Sequence, residues 1–165
     1  MTAVAVTGHM DLTERTVHLV RDALAELLRD LPDGPPVGIS CLAPGADTVF
    51  ADAVLACGGT LVAVIPSRDY RAAEVRPDHA ADFDRLLTAA DRTVVMPFDT
   101  AGTPAYDAAN AELVERAELL VAVWDSSLPT GKGGGTADTV DAARRAGVPV
   151  RVVWPAGSAR SSDTR

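Results

Sequence analysis

The stretch Leu119-Leu120-Val121-Ala122-Val123-Trp124-Asp125, followed by Thr130-Gly131-Lys132-Gly133-Gly134-Gly135-Thr136, decides how the chain reads. Its first half is a continuous apolar run closed by a carboxylate, the pattern of a strand buried on both faces. Its second half holds too much glycine for helix or sheet. Helical spacing then returns over residues 137–146, with Val140, Ala143 and Ala146 on one side. The unit is strand, glycine loop, helix, and Thr136 is the expected N-cap, its hydroxyl accepting from a first-turn N–H. Glycines ahead of a helix N-terminus let backbone N–H groups approach an anion, and the helix dipole favours negative charge there. Lys132 is the only lysine in 165 residues. The loop therefore reads as a phosphate seat, against the alternative of a flexible surface loop with a solvated lysine. It is not a Walker A loop, because Gly133 rather than Ser or Thr follows the lysine. Nor is it the dinucleotide fingerprint, which belongs to the first strand of a unit.

Outward from this unit the same alternation fills the chain. Short apolar runs at 3–7, 37–41, 60–65, 92–96 and 149–154 read as strands. Asp11 and Glu14 have capping-box spacing before a helix whose inner face is Val17, Val20, Leu24, Leu27, Leu28 and Leu31. A helix is expected from about residue 46 to Cys57, stopped by Gly58-Gly59. Residues 67–77 read as a polar loop; Asp78 caps a helix facing inward with Phe83, Leu86, Leu87 and Ala90. Thr103 and Pro104 open another helix, to about residue 117. The fold class is therefore α/β: a three-layer Rossmann-like fold with a mostly parallel sheet of about six strands. It forms a single domain over residues 1–155, with 156–165 a flexible Ser/Arg-rich tail.

Composition bounds the function. With 47% apolar residues the chain folds, and with a net charge of -8 at pH 7 it is a poor general binder of nucleic acid or anionic membrane. No nucleic-acid or membrane partner is expected, while the apolar helices leave room for a homodimer. Cys41 and Cys57 read as buried free thiols; no metal site and no required cofactor are expected. The N-terminus lacks the pattern of a secretory signal, so the expected location is cytoplasmic.

Ligands of such sheets sit beyond the carboxyl ends of the strands, where strand order reverses. Three small-residue loops leave strand ends: Gly8-His9-Met10, Ala43-Pro44-Gly45-Ala46-Asp47 and the Lys132 loop. They meet in one cleft if the fifth strand lies beside the first. Asp125, just past a buried strand, reads as a carboxylate that binds a sugar hydroxyl or activates water. Asp47 reads either as a helix-start cap or as a ribose-binding or catalytic group. His9 donates to a phosphate or caps the following turn. Tyr106 and Asn110, four apart on one helix, face the ligand or pack on the sheet. Arg68, Arg71 and Arg76 offer a bidentate clamp or are solvated. His18 and His79 read as surface residues, and Trp124 and Trp154 as core or interface.

Four pieces resemble the SLOG superfamily of Rossmann-like proteins, which includes the YpsA-like proteins, the DNA-processing protein A fold and the LOG phosphoribohydrolases. They are Val6-Thr7-Gly8-His9; Ala43-Pro44-Gly45-Ala46-Asp47; Tyr106 with Asn110; and Val123-Trp124-Asp125 with Gly131-Lys132-Gly133-Gly134-Gly135-Thr136. The resemblance spans about residues 3–154. It implies binding of a nucleotide or nucleotide-derived phosphorylated ligand, as a sensor or binding protein, with N-glycosidic cleavage of nucleoside monophosphates in some branches. By resemblance, the ligand contacts fall on Gly8, His9, Gly45, Ala46, Asp47 and residues 131–136. The LOG motif ends in a glutamate where Thr139 stands here, and Asp138 is one place off, a turn of roughly 100° on a helix. Asp125 or Asp47 would then have to take the glutamate's part in any hydrolase.

Overall fold

In the computed structural model the described residues are 1–129 and 135–164, with the side chains of 163 and 164 excluded. In chain order they form β1 (Ala3–Gly8), α1 (Glu14–Arg29), β2 (Val37–Ser40), α2 (Ala46–Ala56), β3 (Thr60–Ile65), α3 (Tyr70–Ala73), α4 (Pro77–Ala89), β4 (Arg92–Val95), α5 (Thr103–Arg116), β5 (Leu119–Val123), α6 (Thr136–Arg145) and β6 (Val150–Val152), then a 3-10 turn, Ser161–Thr164. The six strands make one sheet in the order β4-β3-β2-β1-β5-β6, and every pairing is parallel. The expected α/β sheet is present, and β5 lies beside β1 in register from Val4↔Leu119 to Gly8↔Val123. Strand order reverses between these two strands.

The apolar runs explain the layers. Successive side chains of a strand point to opposite faces. Val4, Val6, Val121 and Val123 pack with Val20, Leu24 and Leu28 of α1 and Phe50 and Val54 of α2. Their neighbours Ala5, Leu120 and Ala122 pack on the other face with Ala109 and Leu113 of α5 and Val140 and Ala143 of α6. A third cluster joins Leu61, Ala63 and Ile65 of β3 to Phe83 and Leu86 of α4. No helix among the described residues is long and apolar enough to cross a membrane.

Local starts and stops differ from the sequence reading in instructive ways. Thr13, not Asp11, caps α1, its Oγ1 accepting from Thr16 N–H at 3.2 Å. Asp11 is unavailable because Arg160 holds its carboxylate. Thr136 is the first residue of α6 with Gly135 at the cap, and Thr103 likewise opens α5 behind Gly102; neither makes a side-chain cap bond. The polar loop at 67–77 contains the short α3, and α4 begins on Pro77, whose missing N–H costs nothing there. His79 is buried rather than superficial: its Nε2 lies 2.8 Å from Leu42 O. The C-terminal residues, read as a flexible tail, run back over the start of α1, where Thr13 N–H donates to Ala159 O.

Phe50 is fully buried between α2 and the sheet. Phe50→Ala is expected to cost about 3–5 kcal/mol in urea unfolding at unchanged m-value, the cost of a large core truncation.

Candidate functional site

The β1/β5 reversal opens a cleft of about 770 Å³ at the carboxyl ends of the strands. Its walls come from four places. The β1 exit supplies Gly8, His9, Met10 and Asp11; the β2–α2 turn supplies Ala43, Pro44 and Asp47. α5 presents Tyr106 and Asn110, and the approach to α6 presents Trp124, Leu128, Gly135, Thr136 and Asp138. Two small-residue loops thus meet as the sequence implied. Gly131, Lys132, Gly133 and Gly134, the centre of the third, lie outside the described residues.

Glycine is required at two junctions of this cleft. A Cβ on Gly8 would stand 2.5 Å from Ala46 Cβ and 2.7 Å from Val123 O. Gly45 has φ +77°, and a Cβ there would meet His9 O and Met10 O at 2.6 Å. The same contacts are stitched by hydrogen bonds: His9 N–H donates to Val123 O at 3.0 Å and Ala46 N–H to His9 O at 3.1 Å. Packing therefore accounts for both glycines, and for fully buried Ala46, without a ligand.

Two helix N-termini flank the opening. In the first turn of α2, the N–H groups of Asp47 and Thr48 have no acceptor among the described residues; the same holds for Thr136, Ala137 and Asp138 at the start of α6. Such groups suit an anion.

Asp47 lies in the first turn of α2 and is buried at the cleft wall. Burial pushes its carboxyl up to about 7, against a hydrogen bond from Ala43 N–H to Oδ2 at 3.2 Å that pulls the other way. Near neutrality it is therefore about half protonated, and the protonated form can donate to a ligand. Burial and the nearby Asp47 also push the Cys41 thiol well up, and burial raises the Tyr70 phenol. Tyr70 stacks edge-on to Tyr106 at 6.5 Å, so Tyr106 is held by packing as well as facing the cleft.

Asp125 behaves differently. It does not line the cleft. His9 Nε2 lies 3.0 Å from its Oδ1 and 3.2 Å from its backbone nitrogen; protonated, Nε2 donates to the carboxylate, and unprotonated it accepts from the N–H, never both at once. Ser127 N–H donates to Oδ1 at 2.9 Å. Burial would raise this carboxyl, but the hydrogen bonds from Ser127 and His9 outweigh it and hold it at about 2. The pair ties the exit of β5 to the exit of β1. Arg68 also lies away from the cleft, paired with Asp99 at 2.5 Å, and Arg71 is paired with Asp84. The cations that border the cleft among the described residues are Arg76 and Arg160. Thr139, at the position of the LOG glutamate, is buried, its hydroxyl donating to Gly135 O at 3.1 Å. Asp138, one residue earlier, is the carboxylate that reaches the wall. The sequence reading overlooked Arg160, which sits in a Ser-rich segment with no periodicity to mark it. No group of three His, Cys, Asp or Glu side chains that could hold a metal occurs among the described residues.

No family profile matches this sequence, and no curated protein does. Solved structures do. The chain superposes on DNA processing protein A (DprA) from Streptococcus pneumoniae with TM-score 0.70 at 19% identity, over 95% of this chain and 52% of that one. DprA from Helicobacter pylori gives TM-score 0.66 at 14% identity, over 99% of this chain and 70% of that one. A molybdenum cofactor binding protein from Rippkaea orientalis gives 0.60 at 14% identity, over 92% and 75%. This chain spans about half the length of the S. pneumoniae protein. It has the Rossmann-like α/β fold that its alternating strands and helices implied. One expectation is corrected. The H. pylori protein has a single-stranded DNA binding mode, so excluding nucleic acid on net charge does not stand for this fold. Whole-chain charge says little about a groove in which backbone N–H groups and a few cations meet the phosphates.

The raised Asp47 carboxyl gives a signed pH dependence. Unfolded, it titrates near its ordinary 3.8; folded, near 7. Between those values the folded state keeps a proton that the unfolded state has lost, so stability falls as pH rises through that window. The contribution is at most about 4 kcal/mol. Asp47→Asn keeps an oxygen for Ala43 N–H and should flatten the decline, leaving the variant more stable than wild type at pH 8. Equally steep urea-unfolding profiles between pH 4.5 and 8 in both proteins would contradict a proton-holding Asp47.

Proposed function

We propose that the chain binds a nucleotide or nucleotide-derived phosphorylated ligand in the β1/β5 cleft, acting as a binding or sensor protein. The observation that carries this reading is the pair of helix N-termini, α2 and α6, whose first-turn N–H groups border one cleft without acceptors among the described residues. Lys132, which precedes Thr136 in the glycine-rich stretch of the sequence, would add a point charge to that seat. The remaining lining suits a flat ring: Trp124, Tyr106, Met10 and Leu128 offer aromatic and apolar surface. Proteins of the same fold bind a molybdenum cofactor or single-stranded DNA, ligands that pair a ring system with an anionic group.

A second reading has its own support. Asp47 lines the cleft with its carboxyl near 7, where it could protonate a leaving base in N-glycosidic cleavage, and Asp138 supplies a second carboxylate at the wall. Asp125, held ionised and tied to His9, suits a positioning part better than an acid–base one.

A thermal-shift series with nucleoside mono- and diphosphates, a molybdenum-cofactor preparation and an oligothymidylate tests the binding reading. At least one should raise the melting temperature in a concentration-dependent way, because a ligand selective for the native state stabilises it. Lys132→Ala should reduce that shift. Absence of any shift would remove the reading. Release of free base from a nucleoside monophosphate, lost in Asp47→Asn, would favour the hydrolase.

A further inference from the structure

The C-terminal segment brings a side chain to the cleft that neither the motifs nor the fold assigns. Residues 158–162 lie against α1 and its lead-in through a dense set of bonds. Ala159 N–H donates to Thr16 Oγ1 at 2.8 Å, and the Thr16 hydroxyl donates back to Ala159 O at 3.0 Å. Thr13 N–H donates to the same carbonyl at 3.2 Å, and Ser161 N–H to Asp11 O at 2.7 Å. Arg160 sits at the centre of this strap. Its Nε–H donates to both carboxylate oxygens of Asp11, at 2.9 and 3.1 Å, while the Ser162 hydroxyl donates to Asp11 Oδ2. Its Nη1 stands 3.9 Å from Asp125 Oδ2, beyond hydrogen-bond range. The Nη nitrogens therefore keep unused donors among the described residues, on a guanidinium that borders the cleft.

We propose that Arg160 contacts the anionic group of the ligand, delivered by the C-terminal strap and aimed by Asp11. The inference rests on the phosphorylated-ligand reading above and adds the side chain that discriminates charge. A guanidinium with one edge fixed by a carboxylate keeps a planar fork for a phosphate and loses little side-chain freedom on binding. Arg76, the other cation at the cleft, is exposed and has no ion-pair partner among the described residues, so it would have to be ordered by the ligand. A simple tether is the competing explanation, since Asp11 alone would satisfy the Nε–H.

The test measures dissociation constants of inorganic pyrophosphate for the full chain by calorimetry. Arg160→Gln should weaken binding about ten-fold, as expected for loss of a charge-assisted contact already shared with Asp11. Arg160→Lys keeps the charge but loses the fork, and should bind more weakly than wild type and more tightly than Arg160→Gln. Ser162→Ala loosens a strap bond but keeps the guanidinium, and should change affinity less than about two-fold. Wild-type affinity in Arg160→Gln, with weaker binding in Lys132→Ala, would overturn the inference and leave the ligand reading standing. An equal loss in Ser162→Ala and Arg160→Gln would also overturn it, because docking of the strap would then be what matters. Failure of pyrophosphate to bind wild type, when a nucleotide does, would overturn the assignment of Arg160 to the anion. Failure of every phosphorylated ligand would remove both readings.

Discussion

The structure depends on one close approach: the exit of β1 is wedged between the last residue of β5 and the first residue of α2. Gly8 makes it sterically feasible, with Val123 on one side and Ala46 on the other. Two backbone hydrogen bonds at His9 then lock it: its N–H donates to Val123 O, and its carbonyl accepts from Ala46 N–H. Because β1 and β5 are adjacent but their connections leave in opposite directions, the sheet cannot close over their ends. The cleft follows from that topology. So does the meeting of the α2 and α6 N-termini at one cleft.

This junction also explains the division of labour between the aspartates. Asp125 is committed to the backbone: His9 and Ser127 surround it and hold it ionised. Asp47 is placed on the cleft wall with a single backbone donor identified, and burial keeps its proton on to near neutrality. In a protein with a net charge of -8, a protonated Asp47 removes one repulsive charge from a site proposed to hold an anion. Arg160 brings one positive charge between two other carboxylates, its Nε–H donating to Asp11 and its Nη1 3.9 Å from Asp125.

Much of the fold was legible because the core is written in period two. Val4, Ala5 and Val6 alternate between faces, and so do Leu120, Val121, Ala122 and Val123, so the strands declare themselves. The meeting of the loops was conditional on β5 lying beside β1, and the strand order meets that condition. Helix starts were harder. Asp11 looked like a cap because its spacing to Glu14 is right, but a residue 149 positions away claims its carboxylate. His79 looked superficial because nothing local shows that Leu42 O waits beneath it. At the site, Gly8, His9, Asp47, Tyr106 and Asn110 were readable from strand ends and helix faces. Arg160 was not, because only tertiary contacts lift it from a polar, aperiodic tail into the cleft wall. Arg68 is close in sequence to cleft residues, yet it lies outside the cleft lining and pairs with Asp99, the solvated alternative of the reading.

The most direct measurement of the central claim is an amide NMR titration of the full chain with a nucleoside monophosphate. The account predicts saturable shifts centred on the N–H groups of Asp47, Thr48, Thr136, Ala137 and Asp138. Shifts confined to the far groove between α1 and α2, around Ala25 and Cys57, would contradict it, as would saturation that leaves those first-turn amides unmoved.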